Sequence, residues 1–263
     1  MWQRQILSLV ESHGIRCIAP DRRGFGQSEW TGPRASDDVT YDILASDTTA
    51  LIQSIVDLGD FIFVCSSMGC GESVLVEKHL HAAGAGSKCK GFIWLAPSMP
   101  YPLQTESNPT APSRELWDMI LAGLRTDRES FVKASIGGVF GTHAGIEMSD
   151  ESQQFFVDII RRNDVVAIER CVQLFSNYDF MDDLVWLGKN KTDTPVVVIA
   201  GGNDNSKTST YRILLTRRLT MLQTGRPKRV RQKSVHSYQV RGSKCGRMPL
   251  MACTIRMRSR STI

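Results

Sequence analysis

One stretch of the sequence constrains the fold more than any other, and it is FIFVCSSMGCGES, residues 61–73. FIFVCS is an apolar run of the length and composition expected of a buried β-strand. A second serine and small residues follow it, and the start of a helix comes next. A strand that turns sharply into a helix, with a serine at the apex of the turn, projects the serine hydroxyl above the sheet. We therefore predict such a turn at Ser67.

Predicted strands and helices alternate on both sides of this turn. Apolar residues at helical spacing predict a helix from Trp2 to Glu11, and the apolar run IRCIAP, residues 15–20, is predicted to be a strand. A helix from about Tyr41 to Leu58 precedes FIFVCS, and a helix from Met68 to about His81 follows it. GFIWLAP and TPVVVIAGG are two further buried strands. This alternation predicts the α/β class, with a mostly parallel sheet and helices on both of its faces.

The alternation stops between GFIWLAP and TPVVVIAGG. Residues 98–190 contain four helical patterns and no convincing strand, so we expect a helical lid inserted above the carboxyl ends of the sheet. We call residues 98–190 the lid segment. The sequence then divides into a first part of the core at 1–97, the lid segment, a return to the core at 191–206 and a basic tail at 207–263.

Composition limits the class of protein. The chain has 263 residues, of which 41% are hydrophobic and 22% are charged, and this suits one sizeable domain. Its 7 cysteines show no paired spacing, and no leader pattern stands at the start, so we expect reduced thiols and a cytoplasmic location. No apolar run approaches the roughly 18 residues that cross a bilayer. The sequence therefore predicts a soluble protein.

The residues beside Ser67 suit a nucleophilic serine. The crowded turn needs small residues two positions before and two positions after the serine, and Cys65 and Gly69 stand there. Cys65 departs from the usual G-x-S-x-G pattern, and we expect the cysteines beside the turn to be packing residues with a high pKa. Gly71 is expected to let the helix pack close to the sheet. The N–H of Met68, at the helix start, is expected to face a developing oxyanion.

At this point the sequence resembles the α/β-hydrolase family, and within it the cofactor-free haloperoxidases and esterases. The resemblance covers about residues 1–205 and rests on IRCIAPDRRGFGQSE, the turn, GFIWLAPSMP and TPVVVIAGGNDN. It implies that Ser67 is the nucleophile, that Met68 supplies one oxyanion N–H, and that Asp204 is the acid that orients a catalytic histidine. It implies no metal and no organic cofactor. The serine excludes the dehalogenase branch, which needs a carboxylate at this position.

Two parts of that machinery are not found in the sequence. The family's second oxyanion donor comes from a His-Gly loop ahead of the first helix, whereas this sequence opens inside that helix, so we expect the N-terminal strands to be missing. Asp204 has a competing interpretation as the start of a turn. His236 lacks the surroundings of a catalytic histidine, and we do not expect it to be the base. The other histidines are placed on surface helix ends or loops: His13, His79, His81 and His143.

The basic tail has an unusual composition. Residues 207–263 hold 15 of the 32 Lys and Arg residues and no Asp or Glu. Codons allowed for Ser206–Lys207 and Gln223 include splice-site sequences, and a shifted frame of residues 248–252 can encode Ala-Pro-His-Gly. Our hypothesis is that Lys207 to Gln223 is a translated intron and that residues 224–263 are the final exon in the wrong frame. The tail is then non-native, and the chain as written lacks its base and is inactive.

The sequence thus predicts a serine hydrolase that acts on a small carboxylic ester or related acyl substrate. One alternative is a catalytically dead member of the family or a gene-model fragment, and another is a haloperoxidase or perhydrolase in which peroxide replaces water on the acyl-enzyme. A nucleic-acid binder acting through the basic tail is a third. Our expectation is no nucleic-acid partner and no membrane partner. Oligomeric state is left open by the sequence.

Overall fold

The computed structural model describes residues 2–30, 39–84, 88–106, 108–109 and 111–201. These contain a parallel sheet in the order β1-β2-β3, with β1 at Phe61–Ser66, β2 at Cys89–Leu95 and β3 at Val196–Ile199. All three strands were predicted from the sequence. Asp204, His236 and the basic tail lie outside the described residues, so the expectations about them are not tested here.

The helices of the described residues follow the predicted order. They are α1 (Gln3–Leu7), α2 (Tyr41–Ser54), α3 (Met68–Ala82), α4 (Arg114–Thr126), α5 (Arg128–Val139), α6 (Asp150–Arg161), α7 (Val165–Asn177) and α8 (Met181–Asn190). A π-helical turn at Ser8–Ser12 continues α1, and a 3-10 turn at Thr142–Ala144 follows α5. The four helices expected in the lid segment are α4 to α7. The sequence analysis missed α8.

The strand predicted at residues 15–20 is wrong. These residues form neither strand nor helix, and Ile15 and Ile18 are 49% and 46% exposed. A β-strand exists only where a neighbouring strand takes up its backbone hydrogen bonds. In the described part of the chain the sheet ends at β1, and nothing pairs with residues 15–20.

The core lies on one face of the sheet. Phe63 of β1 pairs with Phe92 of β2, and Cys65 pairs with Trp94, so these side chains share a face. They pack with apolar residues of α2, α3 and α8. The strands follow one another across the sheet in the order of the chain, β1-β2-β3. Because connections between parallel strands are right-handed, α3, which joins β1 to β2, and α8, which leads into β3, lie on the same face of the sheet. Ile62 and Val64 alternate to the other face and are 52% and 39% exposed.

The lid segment has two parts that pack differently. Helices α4 to α6 share a small apolar cluster around Val132, Ile136 and Val157. By contrast, α8 buries Leu184 and Leu187 in the main core. Ala167 of α7 is buried in a cluster with Trp30, Val39 and Leu44. The described core thus includes α7 and α8, while α4 to α6 form an outer layer. No helix of the described residues has the length and apolar composition to cross a bilayer.

Candidate active site

The turn at Ser67 has the geometry that the sequence predicts. β1 ends at Ser66 and α3 begins at Met68, so a single residue joins the strand to the helix. Ser67 has φ 52° and ψ −121°, a backbone conformation that a residue with a side chain rarely adopts and that costs about 1–3 kcal/mol. Its N–H donates to the carbonyl of Leu95 at 3.0 Å, and its carbonyl accepts from the N–H of Cys70 at 3.1 Å. The sheet and the helix together hold the strained residue. We call residues 66–68 the Ser67 turn.

The two glycines at the start of α3 have different neighbours. A β-carbon added at Gly69 would meet only the β-carbon of Cys65, at 4.0 Å. A β-carbon at Gly71 would lie 2.3 Å from Cζ of Phe180. Gly71 thus makes room for an aromatic ring that precedes α8, and the expectation that it lets the helix approach the sheet stays a prediction.

Hydrogen bonds between buried side chains connect β2 to the first turns of α3, beside the Ser67 turn. Nε1 of Trp94 donates to Oγ of Ser73 at 3.2 Å, and Ser73 donates to the carbonyl of Cys70 at 2.6 Å. Burial raises the pKa of the Cys65 thiol to about 12, and its interaction with the Ser73 hydroxyl opposes this only in part. The thiol of Cys65 is therefore neutral at physiological pH, as the sequence analysis expected of a packing residue.

Met68 joins the Ser67 turn to the lid segment. Its side chain packs against a cluster that contains Trp30, Leu44 and Ala167 of α7. Its N–H stands in the first turn of α3, where helix N–H groups have no intrahelical acceptor and the helix dipole is positive. That the Met68 N–H faces an anionic oxygen beside Ser67 stays a prediction.

A glycine-containing loop, D-R-R-G-F-G-Q-S at residues 21–28, lies beside α2 and α7, and we call it the arginine loop. The carboxylate of Asp21 accepts from the N–H of Gln27 at 3.0 Å, and its carbonyl accepts from the hydroxyl of Ser28 at 2.8 Å. Asp21 therefore holds this loop together. Arg23 donates twice to the carboxylate of Asp47, at 2.5 and 2.6 Å, and so ties the loop to α2.

The arginine loop is also where α7 docks. The carbonyl of Gly24 accepts from the N–H of Asp164 at 2.8 Å, and the N–H of Gly26 donates to Oδ1 of Asn163 at 3.0 Å. Gly24 has φ +75°, and a β-carbon there would lie 2.3 Å from the β-carbon of Ala167. Both the backbone conformation and the close approach of α7 therefore require glycine at this position.

Sequence analysis missed an ion pair between this loop and α3. Nε of Arg22 donates to Oε2 of Glu72 at 3.1 Å, and a second guanidinium nitrogen contacts the same oxygen. The hydroxyl of Thr48, on α2, donates to Oε1 of Glu72 at 3.1 Å. Burial favours the neutral form of Arg22, but the charge and hydrogen bonds of Glu72 outweigh it and raise the pKa of Arg22. The sequence shows the two adjacent arginines, but it does not show that Arg22 pairs with Glu72 and Arg23 with Asp47.

No catalytic base contacts Ser67 in the described part of the chain. Nε2 of His79 lies 3.2 Å from Oδ1 of Asp42, on the surface between α3 and α2, and the ring of His81 lies edge-on to Trp186. Neither residue forms a hydrogen bond with Ser67. Within the described ranges, no three His, Cys, Asp or Glu side chains are grouped to hold a metal ion.

Comparison with known proteins agrees with this geometry. The model of the Alpha/beta hydrolase family matches residues 1–236. The non-heme chloroperoxidase CPO-A1 of Kitasatospora aureofaciens is 29% identical over 206 residues, which are 77% of this chain and 69% of the relative. The non-heme haloperoxidase of Rhodococcus erythropolis is 30% identical over 205 residues, which are 77% of this chain and 69% of the relative.

Solved structures show the same fold. A bromoperoxidase from Bacillus anthracis superposes with a TM-score of 0.57 and 25% identity, and the match covers 69% of this chain and 62% of that one. A hydrolase from Oleispira antarctica superposes with a TM-score of 0.58 at 13% identity, which is a likeness of fold alone. The match thus spans less than two thirds of the bromoperoxidase chain. With a family model that matches most of its length, this chain belongs to the α/β-hydrolase family.

Proposed function

We propose that the chain is a serine hydrolase that acts on a carboxylic ester or a related small acyl substrate. The observation that carries the proposal is the backbone of Ser67, whose φ of 52° between β1 and α3 lifts the side chain out of the strand-to-helix connection. Backbone strain of this kind clusters at active sites. Membership of the α/β-hydrolase family supports the same role.

In the proposed reaction, Oγ of Ser67 attacks the carbonyl carbon of the substrate. A histidine takes the serine proton, and Asp204 orients that histidine. The N–H of Met68 donates to the oxyanion of the tetrahedral intermediate. The histidine returns the proton to the leaving alcohol, and water then releases the acid from the acyl-enzyme. This mechanism uses no metal and no organic cofactor.

A fluorophosphonate probe, which phosphonylates an activated serine, tests the proposal. We expect the purified full-length protein to be labelled at Ser67 when imidazole supplies the base, and the Ser67→Ala variant to stay unlabelled in every condition. Ser66→Ala is the matched control, since it removes the neighbouring hydroxyl and should keep the label. The experiment is run with and without added imidazole, which replaces a missing histidine side chain. A folded protein that is unlabelled in both conditions would be catalytically dead, and the proposal would be wrong.

A second candidate is a haloperoxidase or perhydrolase activity, which the names of the relatives favour. Here hydrogen peroxide attacks the acyl-enzyme in place of water, so the acyl group leaves as a peracid and Ser67 regains its proton. The peracid then oxidises a halide. We expect bromide oxidation that requires acetate, peroxide and Ser67. Ester hydrolysis without bromide oxidation under these conditions would remove this candidate and keep the first.

A further inference from the structure

We propose that Arg22 and Glu72 are positioning residues for the Ser67 turn, and that Arg22 cancels a carboxylate charge beside the oxyanion site. The expected effect on the reactivity of Ser67 rests on the function proposed above. The expected effect on the restraint of α3 does not rest on it.

Glu72 occupies the part of α3 that carries the oxyanion donor. It lies four residues after Met68, which is one helical turn, so the N–H of Glu72 bonds to the carbonyl of Met68. Residues four apart also share one face of a helix. Any restraint on the side chain of Glu72 therefore restrains the first turn of α3 directly.

The contacts of Glu72 join three segments that are distant in the sequence. One carboxylate oxygen binds Arg22 of the arginine loop, and the other accepts from Thr48 of α2. The side chains of Glu72 and Arg22 are only 12% and 25% exposed. Both oxygens are held by part-buried groups, so the pair fixes α3 against α2 and the loop.

The charge of Glu72 has a second consequence. A carboxylate one turn from a site where negative charge develops raises the energy of the tetrahedral intermediate. Arg22 makes the pair neutral and removes that penalty. Replacing Arg22 alone leaves the negative charge, whereas replacing both residues removes it. If the pair acts only through structure, labelling recovers in the double variant only to the extent that amide exchange of residues 72–75 also returns to the unsubstituted rate.

The test compares rates of fluorophosphonate labelling of Ser67 in the full-length protein with imidazole added. We expect Arg22→Gln to slow labelling by about tenfold. The double variant Arg22→Gln/Glu72→Gln should recover to within about threefold of the unsubstituted protein. A double variant as slow as Arg22→Gln would overturn the electrostatic role.

Arg23→Gln is the matched control, because Arg23 lies in the same loop and also pairs with a carboxylate on α2, but that carboxylate is not on α3. We expect Arg23→Gln to label at the unsubstituted rate. Equal slowing in Arg22→Gln and Arg23→Gln would mean that any damage to the arginine loop has the same effect, and the proposal would be wrong.

Amide hydrogen exchange tests the restraint without relying on activity. In Arg22→Gln, we expect the amides of residues 72–75, which bond the carbonyls of residues 68–71, to exchange about tenfold faster than in Arg23→Gln. The exchange rates of the amides of α8 should not change.

If Arg22→Gln does not fold, Thr48→Val replaces it and should give a smaller increase in exchange rate at the same amides. Unchanged exchange overturns the positioning role. Faster exchange in a protein that never labels upholds that role and counts against the proposed function alone.

Discussion

At the scale of single residues, two glycines on α3 have opposite surroundings. Alanine is favoured over glycine inside a helix by about 1 kcal/mol. At Gly71 the added methyl group would lie 2.3 Å from the ring of Phe180, which is only 2% exposed and cannot move into solvent. We expect Gly71→Ala to lower the free energy of unfolding by about 1–3 kcal/mol, measured by urea denaturation.

Gly69→Ala is the matched control for this prediction. The added methyl group would find only the β-carbon of Cys65 at 4.0 Å, which is ordinary contact. We expect Gly69→Ala to leave stability unchanged or to raise it by up to about 1 kcal/mol. Equal losses in the two variants would show that the first turns of α3 reject any side chain and that Phe180 is not the cause.

At the scale of the elements, a single residue, Asp127, joins α4 to α5. Asp127 ends α4 and caps α5, and hydrogen bonds from the hydroxyl and the N–H of Ser130 hold the pKa of Asp127 below its usual value. A depressed pKa means that the stabilisation is present above the unfolded-state pKa of about 3.9 and is lost as the pH falls through the folded-state pKa. We expect Asp127→Ala to lower the Tm at pH 7, with the deficit shrinking at about pH 3.

The variant Asp127→Asn separates the cap from its charge. Asparagine also accepts hydrogen bonds at a helix N-terminus, so we expect a Tm near that of the unsubstituted protein at low pH and a smaller pH dependence than aspartate gives. Circular dichroism at the two pH values measures both variants. A deficit of Asp127→Ala that stays constant with pH would mean that the charge of Asp127 does not contribute.

At the scale of the whole molecule, a buried ion pair joins the end of α8 to α3, next to β2. Nζ of Lys191, just after α8, lies 3.0 Å from Oε1 of Glu77 on α3 and 3.4 Å from the carbonyl of Cys89 on β2. Glu77 is fully buried and Lys191 is 14% exposed at the side chain. Lys191→Met removes the positive charge that faces a buried carboxylate, and we expect it to cost about 3–5 kcal/mol of unfolding free energy in urea denaturation.

A double variant distinguishes loss of charge balance from loss of packing. Replacing both partners by apolar residues, as in Lys191→Met/Glu77→Met, removes the isolated charge, so we expect most of the lost stability to return. A double variant less stable than Lys191→Met would show that the pair contributes net stability through its own hydrogen bonds.

The elements that the sequence predicted correctly are those with local signals. The three strands are continuous apolar runs, and α4 to α7 repeat their apolar residues at helical spacing, so neighbours in the sequence determine each of them. Residues 15–20 have the same apolar composition and yet form no strand, because a strand also needs a partner that the local sequence does not specify. α8 was missed because it is only ten residues long and its place depends on packing against α3.

In the candidate site, too, local sequence determined one part and tertiary packing determined the other. The sequence by itself determined the Ser67 turn, because a strand, a bend and a helix start lie within thirteen consecutive residues and each has a local pattern. Only the tertiary structure decided what surrounds that turn. Arg22 and Glu72 are 50 positions apart, and Gly24 meets Ala167 of α7 across a much longer stretch of chain. Such contacts follow from how helices pack on the sheet, and side-chain packing brings together residues whose local sequences contain no information about each other.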